Sequence, residues 1–522
     1  MDESGHQGPG RMGLRGKPRA RPFRVVSASV GLQEARHRRG GQTMTAQSRS
    51  AEIRESLSHP IIDSDGHHVE YQPAVFDVLA QVGGNAMVDR YRKWVEENSL
   101  FAWYALSAEE RTDSRVVRPP WWGIPMKDAR DRATVIFPKL LHERMGELGM
   151  DFGIIYPTWG LMVGSVDDEE IRRAACRAMN TYSAEVFAPY ADRMTPVAVI
   201  PNVTPDEGIE ELEFAVGELG LKSIVMNGYA ARPIPAAQRL GAQTSRFGFW
   251  LDTFGIDSDY DYDPLWQRCQ DLGVNPTFHT GGMGWGSRNS ISNYVYNHIG
   301  HFGAAGDATC KSLFLGGVTR RFPELKFAFL EGGVAWACSL YSDLVGHWKK
   351  RNPEALENYN PANLDTEAFD AFFSQYAEDA FRADDESLTT VTGGLTPHVQ
   401  EEKVDEYGPC QIEQIEDFRE LFIDAFYFGC EADDPTTAWA FSKKVNPLGA
   451  RLKALFSSDI GHWDVPVLAD VSWEAHESVR EGVIEEADFE DFVFRNPARF
   501  WTATNPDFFT GTSVEEAVRG LG

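Results

Sequence analysis

The chain has 522 residues, enough for a large core, and its 42% hydrophobic and 25% charged content is ordinary for a globular protein. The formal charge of -28 is uneven: residues 1–43 carry nine Arg or Lys against three Asp or Glu, or +6, which leaves -34 on the remainder. So acidic a body repels nucleic acid and anionic membrane, so neither is an expected partner, and no apolar run is long enough to span a bilayer.

Residues 1–50 are rich in Gly, Arg, Pro and Ser and lack apolar periodicity, so a disordered basic tail is expected. Met44 begins more ordinary sequence and is a candidate translation start; a targeting role for the tail is the alternative. Cys176, Cys269, Cys310, Cys338, Cys410 and Cys430 show no CxxC spacing, which predicts buried, reduced thiols in a cytoplasmic protein.

From Pro60 onward, short β-branched runs alternate with helical patterns. Strands are predicted at 60–65, 151–157, 195–200, 222–227, 274–279, 325–331, 424–429 and 455–459. The clearest helices are 168–190, 205–219, 264–272, 303–321, 334–350 and 434–444, the second announced by Thr204-Pro205-Asp206-Glu207. Eight strands alternating with helices predict an α/β fold, a (β/α)8 TIM barrel spanning 60–509. A doubly wound open sheet is the alternative, but the Gly-rich phosphate loop it would want after the first strand is missing. Insertions at about 73–132, 229–262, 281–302 and 352–420 all follow C-terminal strand ends, where barrel active sites lie, and read as lids. The second is loop-like and aromatic. The chain after 466 looks helical and closes the barrel.

The same strand ends carry the chemistry. The first runs Ile61-Ile62-Asp63-Ser64-Asp65-Gly66-His67-His68; alternation in an extended strand puts Asp65 and His67 on one side, with Asp63 in support and His68 on the other face. His279 follows the fifth strand, Glu331 the sixth, and Asp459, with His462 close behind, the eighth. Carboxylates and imidazoles converging in this way suit Zn²⁺, Mn²⁺ or Fe²⁺. Any one of them could be a capping Asp or a satisfied core His; four together at strand ends argue for a metal site.

On Asp63-Ser64-Asp65-Gly66-His67, Phe278-His279, the run Arg320-Arg321-Phe322-Pro323-Glu324-Leu325-Lys326 leading to Leu330-Glu331-Gly332-Gly333, and Ser457-Ser458-Asp459-Ile460-Gly461-His462, the chain resembles the amidohydrolase-related family. This is the branch that contains aminocarboxymuconate-semialdehyde and γ-resorcylate decarboxylases. The resemblance implies that Asp65, His67, His279 and Asp459 are metal ligands, with Asp459 also orienting or deprotonating a bound water. It implies a divalent metal, first of all Zn²⁺, with Mn²⁺ or Fe²⁺ as alternatives, and it leans towards homodimers. Two departures stand out. Glu331 replaces a His that many members place after strand six. Lys222 lies at the start of strand four, the wrong end for the carboxylated Lys that bridges two metals in binuclear relatives.

The leading functional expectation is a metal-dependent hydrolase of a small cyclic or aromatic metabolite, working through a metal-activated water, with Asp459, Glu331 and His301 as catalytic candidates. A non-oxidative decarboxylase is the first alternative and a binuclear non-haem iron oxygenase the second; an inactive barrel acting as a binding partner is the reading from another class. His298, His301 and Glu331 form a candidate second metal site or proton relay, with lid packing as the plain alternative. Arg288 is a candidate carboxylate clamp, and Trp121, Trp122, Trp159 and Trp285 candidate pocket walls.

Overall fold

Eight short runs of β-branched and aromatic residues become eight parallel strands paired in chain order, so the (β/α)8 expectation holds. They are β1 (Ile62–His68), β2 (Phe152–Pro157), β3 (Met194–Val199), β4 (Ser223–Met226), β5 (Pro276–Phe278), β6 (Phe327–Phe329), β7 (Phe426–Glu431) and β8 (Lys453–Ser457). The computed structural model describes residues 47–98, 100–120, 127–241, 244, 247–279, 288–360, 363–378 and 405–521. The expected tail up to residue 46, together with Trp121, Trp122 and Trp285, lies outside the described residues. At the tail's edge Arg49–Ser56 is helical rather than irregular, because Ser48 caps it by accepting from Ala51 N and Arg54 pairs with Asp151.

The barrel closes between its first and last strands. His67 N donates to Ile460 O at 2.8 Å, and Asp459 N to Asp65 O at 2.9 Å. Asp63, fully buried, reinforces this seam by accepting from Ser458 N at 2.9 Å, Ser458 Oγ at 2.6 Å and Asp65 N at 3.2 Å. Between Asp63 and Gly66 the register of β1 against β2 slips, since Asp63 faces Gly153 but Gly66 faces Ile155. A bulge of this kind re-aims side chains at a barrel rim. Gly66 is needed there, because a Cβ would sit 2.5 Å from Asp63 Oδ2.

Outside the strands lies an aromatic layer. Phe327 packs edge-on to Trp266, Phe329 to Trp336 and Phe426 to Phe422, which seats the helical shell. The first insertion is helical, α1 (Gln72–Gly83) and α2 (Asn85–Asn98). The shell continues with α3 (Glu169–Phe187), α4 (Pro205–Leu212), α5 (Asp263–Asp271), α6 (His301–Leu315) and α7 (Ala335–Arg351). At α4, Thr204 and Glu207 form the reciprocal cap that the sequence announces.

Three expectations change. Residues 229–262 are not simply loop: Ala230–Pro233 and Phe249–Asp252 pair as an antiparallel ribbon, pinned by buried Arg232 on Asp252 at 2.9 Å. The helix expected over 303–321 ends at Leu315, because Gly317 turns the chain at φ 71° against the Pro409 carbonyl, and a separate turn follows over Val318–Arg321. The region 434–444 breaks into the short turns Pro435–Thr437 and Ala438–Phe441. After 466 the chain is helical, and Asn496 Nδ2 donates to Ala454 O of β8 at 2.9 Å. All six cysteines are buried free thiols. Among the described residues no helix is long and apolar enough to cross a membrane.

Two buried charges generate predictions. Arg172 of α3 holds Glu207 of α4 through Nε at 3.0 Å and a second guanidinium nitrogen at 2.8 Å, both side chains being buried. Arg172→Leu leaves Glu207 bare, so urea unfolding is expected to show a loss of about 3–5 kcal/mol. Adding Glu207→Gln should recover much of it, and a loss below about 1 kcal/mol in the single variant contradicts this account. The second is Glu70, which accepts from Trp159 N at 2.9 Å and Gly160 N at 2.8 Å while burial raises its pKa to about 7. The folded chain thus keeps a proton that the unfolded chain releases. The associated stability is present at acid pH and is lost as pH rises towards 7. Glu70→Gln should flatten that fall in a pH series of thermal melts, whereas an unchanged slope refutes it.

Candidate metal centre

The groups that the strand ends carry meet in one place. β1 supplies Asp65 and His67, both with no exposed surface. His279, directly after β5, is 2% exposed, and Asp459, just past β8, is 1% exposed. Glu331, two residues beyond β6, and Asp459 both adopt the left-handed backbone, with φ of 60° and 50°. Non-glycine residues rarely hold that conformation unless the surroundings impose it, and such positions cluster at functional sites.

His67 Nε2 stands 3.4 Å from Asp65 Oδ1 and 3.4 Å from Asp459 Oδ1. His279 Nε2 stands 2.8 Å from Glu331 Oε2, and His462 Nδ1 stands 2.7 Å from Asp459 Oδ1. The rings of His67 and His462 stack at 3.8 Å, and His279 meets His67 edge-on at 5.1 Å. Within Asp65, His67 and His279, and again within His67, Asp459 and His462, the ligand-type atoms lie within 4.8 Å of one another.

These atoms are close, yet they do not satisfy one another. Both oxygens of Asp65 and of Asp459, His279 Nε2 and Glu331 Oε2 are buried without a hydrogen bond to any described residue. Buried polar groups are rarely left so. Donors and acceptors that approach but miss alignment are aimed at shared points between them, and a carboxylate–imidazole set of this composition fits a divalent cation.

Electrostatics agree. Burial holds the carboxyls of Asp65 and Asp459 well above the usual carboxylate range and the His67 imidazole well below its own. The His279 imidazole is also lowered by burial. Burial also raises Glu331 to about 8 and Glu431, at the end of β7, to about 9, the latter beside Asp464 and Glu331.

The other candidates are placed as follows. His298 lies with Glu331 and Asp464 in a third group of mutually close ligand-type atoms. His301 opens α6, is buried, and packs its ring on Phe302 at 5.1 Å; none of the three groups includes it. Phe302 in turn meets His279 at 5.5 Å. Arg288 is exposed, at the edge of the undescribed 280–287 stretch. Trp159 lines an apolar cavity of about 270 Å³ beside Glu70, Phe76, Tyr91 and Met179, outside the ligand cluster. His68 turns away from it, with Nδ1 3.0 Å from Val135 O and Nε2 3.0 Å from Tyr182 Oη. Lys222 Nζ donates to Phe508 O at 3.0 Å, at the opposite end of β4. The sequence reading missed three residues. His462 was noted only as a neighbour of Asp459, and Asp464 and Glu431 drew no attention, although the spacing Asp459-x-x-His462-x-Asp464 was there to be read.

If the donor set holds a cation, chelator-stripped protein should gain thermal stability on adding Mn²⁺, by about 2.7 kcal/mol at a hundredfold excess over Kd. Asp65→Asn should weaken that binding at least tenfold by calorimetry. Equal affinity in the variant would remove Asp65 from the set.

Comparison with known proteins completes the description. Among the solved structures that match, three are described. One is a dihydroxybenzoic acid decarboxylase from Polaromonas sp. with bound manganese and the inhibitor 2-nitroresorcinol, 14% identical, covering 87% of this chain and 99% of its own, with a TM-score of 0.44. Another is an amidohydrolase from Mycobacterium avium subsp. paratuberculosis, 15% identical, covering 85% and 100%, TM-score 0.47. The third is 5-carboxyvanillate decarboxylase from Sphingomonas paucimobilis, 13% identical, covering 85% and 99%, TM-score 0.45. No curated protein matches the sequence. A family model described as Amidohydrolase matches residues 55–386, more than half of the chain, and β1 to β6, with Asp65, His67, His279 and Glu331, fall inside that match. The chain therefore belongs to the amidohydrolase family.

Proposed function

We propose that this chain is a metal-dependent carboxy-lyase that removes a carboxylate from a small aromatic or unsaturated acid as carbon dioxide. A proton replaces the carboxylate on carbon. Asp65, His67, His279 and Asp459 would hold the cation, and their mixed oxygen and nitrogen donors suit Mn²⁺, Zn²⁺ or Fe²⁺. A bound divalent cation would polarise a substrate oxygen and orient the acid.

The observation that carries the decarboxylase reading over hydrolysis is the placement of His462. Glu331 stands where many relatives have a histidine, which by itself argues against decarboxylation. Yet the His462 imidazole lies 3.9 Å from Glu331 Oε1 and 2.7 Å from Asp459 Oδ1. An imidazole is thus back at that point, delivered by the loop after β8. Asp459 fixes the ring by facing Nδ1, and the side chain keeps 16% exposure towards the mouth. His462 is then the group that hands a proton to the substrate carbon as the C–C bond breaks.

Hydrolysis is the second reading, in which Asp459 would accept a proton from water. The position of Lys222 supports neither a bridging carbamate nor the binuclear hydrolase that would use one.

The test is a panel of small acids, beginning with 2,6-dihydroxybenzoate and 5-carboxyvanillate, run with Mn²⁺- or Zn²⁺-loaded protein in D₂O. Carbon dioxide release with one deuterium on the product carbon is expected. His462→Asn should lower kcat by about 10²–10⁴-fold with a smaller change in KM. Cleavage of amides or esters with no carbon dioxide from any acid would favour hydrolysis. A chain that binds no metal and turns over neither class would be an inactive barrel.

A further inference from the structure

We propose that the cavity beside Glu70 binds a small organic cation, a quaternary or protonated alkylamine. The cavity measures about 270 Å³, room for a compact ligand, and no residue of the metal centre lines it. Its walls come from the chain just past β1 and from α1, from α2, from the turn after β2 and from α3.

The lining selects the ligand. Phe76, Tyr91, Trp94 and Trp159 are all half-buried there. Aromatic faces carry negative charge density and attract a cation placed over them. The chain already shows this preference at the same wall, where the Arg92 guanidinium lies 4.5 Å from the centre of the Phe76 ring. The methyl or methylene shell of an alkylamine also suits the apolar side chains of Val75, Met162 and Met179. The walls are fixed before a ligand arrives. Phe76 and Tyr91 meet edge-on at 6.2 Å, and Trp94 Nε1 donates to Asp167 Oδ1 at 2.7 Å. Such preorganisation lowers the entropy lost on binding.

Glu70 supplies the charge. It is 3% exposed and accepts from Trp159 N and Gly160 N, yet among the described residues no Lys, Arg or His forms an ion pair with it. Burying a carboxylate without a countercharge is costly, and here burial raises the group to about 7. The other charged residues of the lining are Arg92 and Glu96, both exposed and opposite in sign, so Glu70 is the cavity's unbalanced group. A cation seated among the rings would offset it, whereas an anion would meet it with like charge.

This site is independent of the reaction class. The probe is choline, and its neutral counterpart is 3,3-dimethyl-1-butanol, in which carbon replaces the charged nitrogen. Each is titrated calorimetrically into the full chain in the presence of Mn²⁺. Choline is expected to bind about tenfold more tightly than the alcohol, or better. Glu70→Gln keeps the size of the side chain and removes its charge, so most of that preference should vanish while affinity for the alcohol holds. Tyr91→Leu removes one ring and should weaken choline more than the alcohol, which keeps the test available where the first variant fails to fold. Equal affinity for the two probes in the natural chain overturns the proposal, as does the absence of choline binding up to about 10 mM. A folded Glu70→Gln that retains the natural choline affinity places the cation elsewhere and overturns it too. None of these readings depends on turnover, so this site and the carboxy-lyase reading can fail separately.

Discussion

The closure of the barrel between β1 and β8 is the constraint on which everything else rests. Asp63 is a buried carboxylate whose oxygens are taken up by Ser458 and by the Asp65 backbone. That pairing joins residues 395 positions apart and fixes the relative height of the two strands that carry Asp65, His67 and Asp459. Backbone bonds from His67 to Ile460 and from Asp459 to Asp65 run along the same seam. Fold closure and assembly of the cluster are therefore one event: a chain that failed to bring β8 against β1 would lose this grouping of carboxylates and imidazoles along with its barrel.

A second consequence concerns energy. The pocket buries carboxylates and imidazoles that leave their own hydrogen-bonding capacity unmet, and it keeps Glu331 and Asp459 in a backbone conformation that disfavours side chains. Such a site costs stability, and the aromatic layer and the outer helices supply the surplus that tolerates it. The ion pairs that do stabilise, such as Arg172–Glu207 and Arg232–Asp252, sit in the shell or in the ribbon, away from the cluster. The division leaves the mouth of the barrel with buried carboxylates whose ionic neighbours among the described residues are histidines.

How legible this was depended on the range of the interaction. Strand positions were readable because a buried parallel strand needs a short apolar run and little else, and each of the eight lay within a few residues of its predicted place. The ribbon at 230–252 was missed because its pairing depends on Arg232 meeting Asp252 across the turn, which has no periodic signature. The helix expected through 321 broke earlier because Gly317 packs against Pro409, a contact 92 positions away. His462 was noted only as a neighbour of Asp459 because its place in the cluster comes from stacking on His67 of β1 and facing Glu331 after β6. Glu431, which lies beside Asp464 and Glu331, was invisible for the same reason.

The sequence by itself determined the strand–helix alternation, the order of the strands and the residue types at their ends, because those follow from local pattern and from the rule that successive βα units wind one way. It also determined the acidic balance and the thiol chemistry. Only the tertiary structure decided which of those polar residues share a pocket. That assignment is set by the seam at Asp63 and Ser458, by the bulge in β1 and by the loop after β8. Each brings together side chains hundreds of positions apart, and no local periodicity records that distance.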